Sequence, residues 1–181
     1  KTSFCNGTLI SDITNGAVHT RKWILDKEIP TYLASVAVAD YTQVNWNIPA
    51  ANGNLPVVLA ARSTDTTAIK NGFVHLPNAV LGFENYYGPY VWNRVGYCLV
   101  PFNSGAMEHA TNIAYPQAAT NIAYESELMA HELSHHWWGD LMTCETQEDM
   151  WLNEGMASYS ERLFLEWTYD YSKYLNDVKT I

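Results

Sequence analysis

The sequence predicts an α+β fold, with strand-type runs in the first half of the chain and helical patterns carrying the chemistry of the second. Three observations predict it. An Asn15-Gly16 turn separates β-branched runs near the start, and an apolar run from Val95 to Pro101 follows the breaker Gly88-Pro89. Beyond these, the stretch His131 to Glu154, HELSHHWWGDLMTCETQEDMWLNE, carries helical spacing at both of its ends.

Taken in order, residues Lys1 to about Tyr41 hold three strand-type runs: Thr8-Leu9-Ile10-Ser11, Val18 to Leu25 and Thr31 to Ala39. Thr42 to Pro56, with Asn52-Gly53-Asn54, reads as a linker or exposed loop. Val57 to Ala61 is a short buried strand. Thr64-Asp65 opens a helical pattern toward Tyr86 that is interrupted at Gly72 and Pro77, which predicts a kinked helix or two short ones. After the strand Val95 to Pro101, Gly105-Ala106-Met107-Glu108-His109 lies on the edge of a small sheet that continues to Tyr115-Pro116. A-T-N-I-A-Y occurs at Ala110 to Tyr115 and again at Ala119 to Tyr124. Two copies are too few for a repeat architecture, so the first reads as a strand end and the second as the approach to the next helix.

That helix is expected to start at Ser126 as N-cap, with Glu127 in its first turn, and to stop at Gly139. Leu128, Leu133, Trp137 and Trp138 anchor it. His131 and His135 are four residues apart and so share one face, with Cβ atoms about 5–6 Å apart. One zinc ion can bridge them, and Glu132 stands beside that axis, placed to take a proton from water at the metal. A second helix begins near Asn153 and supplies Glu154 as third ligand, separated from His135 by 18 residues, leaving one position of a tetrahedral site open. Glu161 lies two turns below Glu154 on the same side, where an acceptor for a ligand histidine belongs. His136 reads as a packing or hydrogen-bonding residue, Asp140 as one that orients a ligand histidine or is solvated after Gly139, and His19 and His75 as incidental.

HELSHHWWGDLMT followed by MWLNEGMASY resembles the signature of the M1 metallo-aminopeptidases, the gluzincin family that includes alanyl aminopeptidase and leukotriene A4 hydrolase. Gly105-Ala106-Met107-Glu108-His109 is similar to that family's G-A-M-E-N motif, with His109 in place of the asparagine. The resemblance implies a partial chain. Residues 1–44 would be the end of an N-terminal β-domain and 45–181 the first part of a thermolysin-like zinc peptidase domain without its C-terminal helical part. It implies one Zn²⁺ per chain held by His131, His135 and Glu154, with Glu132 as base and then acid. Glu108 would hold the free N-terminus of a peptide, with Gly105, Ala106 and Met107 binding it as an added strand. A protonated His109 would repel that amine. The family's oxyanion tyrosine lies beyond Ile181, so this chain alone is expected to bind zinc and cleave peptides poorly. A noncatalytic peptide-binding scaffold, or hydrolysis of a nonpeptide substrate such as an epoxide, are the alternatives.

Composition narrows the partners. The 181 residues carry 10 Lys+Arg against 19 Asp+Glu with no basic cluster, which argues against nucleic acid. No run approaches the roughly 20 apolar residues of a membrane span. Cys5, Cys98 and Cys144 form no CxxC pair and read as ordinary thiols, or as one disulfide with one left over. Few lysines and many Asn, Thr and Tyr residues favour an exported, periplasmic or cell-surface protein, and Asn6-Gly7-Thr8 matches a glycosylation sequon. Self-association through exposed apolar faces is a further expectation.

Overall fold

A computed structural model of the chain describes residues 1–117 and 122–180. Its first part is two small antiparallel ribbons. β1 (Thr2–Cys5) pairs with β4 (Val36–Ala39), and β2 (Thr8–Asn15) pairs with β3 (Val18–Ile24). Asn15 stands opposite Val18 across a two-residue turn, and Gly16 takes φ +58°, which a glycine adopts without strain. The expected strand from Thr31 to Ala39 is only half a strand. After Pro30, Thr31–Leu33 form a 3₁₀ turn in which Leu33 N–H donates to Pro30 O at 3.1 Å, and Leu33 is fully buried.

The linker expected from Thr42 to Pro56 is instead the outer hairpin of the main sheet. β5 (Tyr41–Ala50) runs antiparallel to β6 (Gly53–Arg62) in unbroken register from Tyr41 opposite Arg62 to Ala50 opposite Gly53. Its polar residues conceal a period of two, because Val44, Trp46 and Ile48 turn inward while Gln43, Asn45 and Asn47 face water. Pro49 is tolerated because β5 is an edge, and Pro56 because β6 pairs with the next strand only from Val57. The boundary expected between 44 and 45 therefore falls inside β5.

β6, β7 (Val95–Val100) and β8 (Ile113–Pro116) are parallel, giving the order β5-β6-β7-β8. The crossover from β6 to β7 holds two helices, α1 (Thr66–Gly72) and α2 (Leu76–Tyr87), with Pro77 in the first turn of α2 where its missing N–H costs nothing. Alternation along the strands then divides the sheet. Val57, Leu59, Tyr97 and Leu99 face the helices and pack with Phe73, Val80, Phe83, Met129 and Leu133. Val58, Ala60 and Cys98 face the other way and receive Phe4 and Trp23 from the N-terminal ribbons. Phe4, 1 % exposed, alone contributes about 1.5–3 kcal/mol by burial.

Three helices complete the chain. α3 (Ile122–Ser134) already runs at Ser126, so that serine is a buried interior residue rather than an N-cap, and the helix ends at Ser134 rather than at Gly139. The second A-T-N-I-A-Y copy falls half outside the described residues, and its last three, Ile122 to Tyr124, open α3. α4 (Met150–Thr168) begins before Asn153, led in by a 3₁₀ turn at Gln147–Asp149. α5 (Tyr171–Val178) is capped by Asp170, whose carboxylate accepts from Lys173 N–H at 2.8 Å. All three cysteines are free thiols. No helix among the described residues is long and apolar enough to cross a membrane. Ile10, Ile13, Val18, Val36, Val38 and Trp151 are exposed apolar side chains.

Candidate metal centre

The last turn of α3 and the turn after it bring His131 and His135 together, with Trp138 N–H donating to Ser134 O at 3.1 Å to continue the coil. Their Nε2 atoms lie 3.2 Å apart, and Oε2 of Glu154, from the second turn of α4, is 3.4 Å from the first and 3.8 Å from the second. Donors at 2.0–2.1 Å around a tetrahedral ion stand about 3.3 Å from one another, so this triangle has the size zinc requires. Hydrogen bonds behind the rings fix their tautomers. His131 Nδ1 meets Glu161 Oε1 at 2.7 Å, and His135 Nδ1 meets Trp138 O at 3.0 Å and Asn153 Oδ1 at 3.1 Å. These oxygens only accept, so both Nδ1 atoms carry hydrogen and both Nε2 lone pairs point at one place. That arrangement asks for a cation.

The surroundings agree. Burial pulls the pKa of His131 down, but hydrogen bonds to Glu154 and Glu161 outweigh it and raise it to about 10, so that a proton on Nε2 competes with a cation for the place between these acidic groups. Glu154 is lowered in turn by its bond to His131. Glu132 is buried beside the triangle, its Oε2 without a hydrogen-bond partner among the described residues, and burial pushes it up to about 8 against the lowering effect of His131. Glu108 is buried as well, and it offers an oxygen within 4.8 Å of a Glu132 oxygen and a His135 nitrogen.

The sheet edge supplies Glu108. Met107 and Ala114 exchange two backbone hydrogen bonds of 2.9 Å, and His109 N–H closes back on Met107 O at 2.9 Å, turning the chain sharply at the glutamate. Gly105, at φ +67°, starts this segment. A cleft of about 380 Å³ results, walled by Gly105, Ala106, Glu108, His131, Glu132, His135, Glu154 and Glu161. Met107 is absent from that wall. Its side chain packs toward the main core, so its place in the segment is a backbone one.

Several residues fall differently from their sequence reading. The Asp140 carboxyl is neither solvated nor, among the described residues, bonded to His131 or His135: it is buried, with Oδ2 3.6 Å from Nε2 of His136. His136 itself is the packing and hydrogen-bonding residue expected: it donates from Nδ1 to Tyr90 Oη at 2.7 Å and accepts at Nε2 from Thr111 N–H at 3.3 Å, and burial lowers it to about 3. Burial also lowers His109, so the ring is held neutral rather than as a cation opposing an amine. The Asn6 amide is consumed inside the protein, donating to Ala110 O at 2.6 Å and Leu33 O at 2.9 Å and accepting from Ser35 N–H at 2.6 Å. Asn153, whose Oδ1 meets His135 Nδ1, is the residue of this cluster that the spacing left unassigned. Its one sequence signal is its place directly before Glu154 on the same helix.

Two imidazoles from one helical turn, a carboxylate from the next helix and a buried second carboxylate define a metallohydrolase type of site on an α+β scaffold. The sequence model of the Peptidase family M1 domain matches residues 76–181, and the chain belongs to that family. Canis lupus familiaris aminopeptidase N is 33 % identical over 147 residues, covering 74 % of this chain and 15 % of its own length. Bos taurus endoplasmic reticulum aminopeptidase 2 is 32 % identical over 152 residues, covering 77 % and 16 %. The chain thus spans about 15 % of the length of such curated relatives. Among solved structures, an M1 zinc metallopeptidase from Deinococcus radiodurans superposes with TM-score 0.82 at 20 % identity, over 93 % of this chain and 38 % of that one. Legionella pneumophila aminopeptidase A superposes with TM-score 0.84 at 21 % identity, over 91 % and 21 %. At these identities the likeness is one of fold.

Proposed function

We propose that the chain is the metal-binding part of a zinc aminopeptidase that removes N-terminal residues from peptides. The carrying observation is the convergence of His131 Nε2, His135 Nε2 and Glu154 Oε2 within 4.8 Å of one another, with the buried carboxylates of Glu132 and Glu108 alongside. Zinc, when bound by those three residues, supplies Lewis acidity that acidifies water and polarises a carbonyl. Glu132 takes the proton of the attacking water and returns it to the departing amine. Glu108 pairs with the ammonium at the peptide's N-terminus, so that the first peptide bond is the one presented to the site. Names of relatives support this substrate class, as does the Tyr-Ser-Ala substrate bound in a Deinococcus radiodurans enzyme of this fold. On the same reading the N-terminal ribbons are the end of a preceding β-domain, and the sheet with its helices opens the catalytic domain.

In the zinc-loaded protein, Glu132→Gln is expected to lower kcat on an aminoacyl anilide by about 10²–10⁴-fold with zinc content still near one per chain. Glu108→Gln should act mainly on KM for substrates with a free amine. A protein that takes up no zinc, or a Glu132→Gln variant as active as its parent, would leave a peptide-binding scaffold as the better account.

A further inference from the structure

We infer that Arg162, held in place by Asp177 of α5, is a positioning residue that fixes Glu161 behind His131 and so sets how tightly the centre holds its divalent cation. The inference rests on the metal reading of His131. Glu161 divides its two oxygens: Oε1 accepts from His131 Nδ1 at 2.7 Å and Oε2 accepts from Arg162 Nη2 at 3.1 Å. Arg162 Nη1 in turn donates to Asp177 Oδ2 and lies 3.8 Å from Glu127 Oε2 on α3. One guanidinium therefore ties α3, α4 and α5 together directly behind a proposed ligand.

Helix geometry makes the tie informative. Neighbouring residues on a helix point about 100° apart and do not normally meet. For Arg162 to reach Glu161 its side chain must be drawn across the helix face, and the groups drawing it are Asp177 and Glu127. All four side chains are less than a third exposed, so the cluster is sheltered from full solvent screening. Glu161 has three rotatable bonds and sits near two other carboxylates. Without the guanidinium it would swing out toward water, and His131 would lose the acceptor that fixes its tautomer and ring plane.

The sign of one substitution is unambiguous. Asp177→Asn both loosens Arg162 and leaves its positive charge less compensated near a cation site, so both effects weaken metal binding. Arg162→Met mixes the two, since it loses the clamp but also removes a positive charge.

The test is competition for Zn²⁺ between the chain and a chromogenic chelator, with Co²⁺ absorption as a second readout of ligand geometry. Glu161→Gln is expected to weaken Zn²⁺ binding by about 10–100-fold. Asp177→Asn should weaken it by about 3–10-fold, below that range because it acts through two intervening side chains. In the Glu161→Gln background, Asp177→Asn should add only its charge effect, so the double variant weakens binding by clearly less than the product of the two single effects. Full additivity would overturn the relay, because a charge or folding effect of Asp177 persists without Glu161. Arg162→Lys keeps the charge but loses the fork, and should reproduce the weakening even if the Asp177 variant proves too unstable to measure. If the unaltered chain binds no Zn²⁺, the metal reading itself fails; if it binds and none of these variants differs, only the relay does.

Discussion

Asp140 shows how much of a site is hidden from sequence. Its carboxyl is enclosed with neither oxygen hydrogen-bonded among the described residues, and burial, with Glu108 and Glu132 adding to it, raises its pKa well above the ordinary value. The folded chain thus keeps a proton that the unfolded chain releases. The corresponding stability is fully present below about pH 3.9 and is lost as pH rises through the folded value. Asp140→Asn cannot ionise and escapes that loss. Urea midpoints of the variant should therefore gain steadily on the unaltered chain from pH 5 to pH 9, whereas a constant gap would refute the assignment. His131, Glu132 and His135 stand at spacings a helix makes adjacent, and Glu154 follows at the separation of the family signature, so their placement is legible in the chain itself. Asp140 and His136 are not, because their surroundings come from Tyr90 and Thr111, which no local period connects to them.

Among the elements, the turn that follows α3 joins the two halves of the centre. Gly139 takes φ +128°, and a Cβ there would meet Asn153 Oδ1 at 2.2 Å, the atom that holds His135 Nδ1. Reading Gly139 as a helix stop identifies a break but not its use, which is to let α4 close against the histidine. Gly139→Ala is expected to displace Asn153 and weaken Zn²⁺ binding by about 10–100-fold, measured by chelator competition at unchanged helix content by circular dichroism. An affinity within twofold of the parent would contradict this. β5 was illegible for a different reason. Its inward positions Val44, Trp46 and Ile48 alternate with Gln43, Asn45 and Asn47, and the amide-rich composition resembles a loop until the period of two is counted.

Over the whole molecule, the N-terminal ribbons are fastened to the sheet by a buried cation. Arg94 donates from Nε to Gly7 O at 2.5 Å and from Nη2 to Cys5 O at 2.6 Å, with its guanidinium 5.1 Å from the centre of the Trp23 ring. Gly7 N–H in turn donates to Thr111 Oγ1 at 2.6 Å, three residues past Glu108, so the corner between β1 and β2 braces the cleft from behind. Arg94→Met strands two carbonyls and removes a stacked charge. It should cost about 2–4 kcal/mol in urea unfolding, and a loss under 1 kcal/mol would show the ribbons to be held by apolar packing alone. Strand content at the start of the chain was readable; this docking was not, since its partners lie nearly ninety positions apart.

The Asn6 amide has a biosynthetic consequence. A carbohydrate chain linked to its nitrogen would replace one of the two hydrogens by which it reaches Ala110 O and Leu33 O, at the corner that steadies the loop bearing Glu108. In a compartment that transfers oligosaccharide to such tripeptides, transfer and completion of the native corner would be competing fates of one nascent chain, and molecules that acquired the sugar first would be set aside from the folded pool.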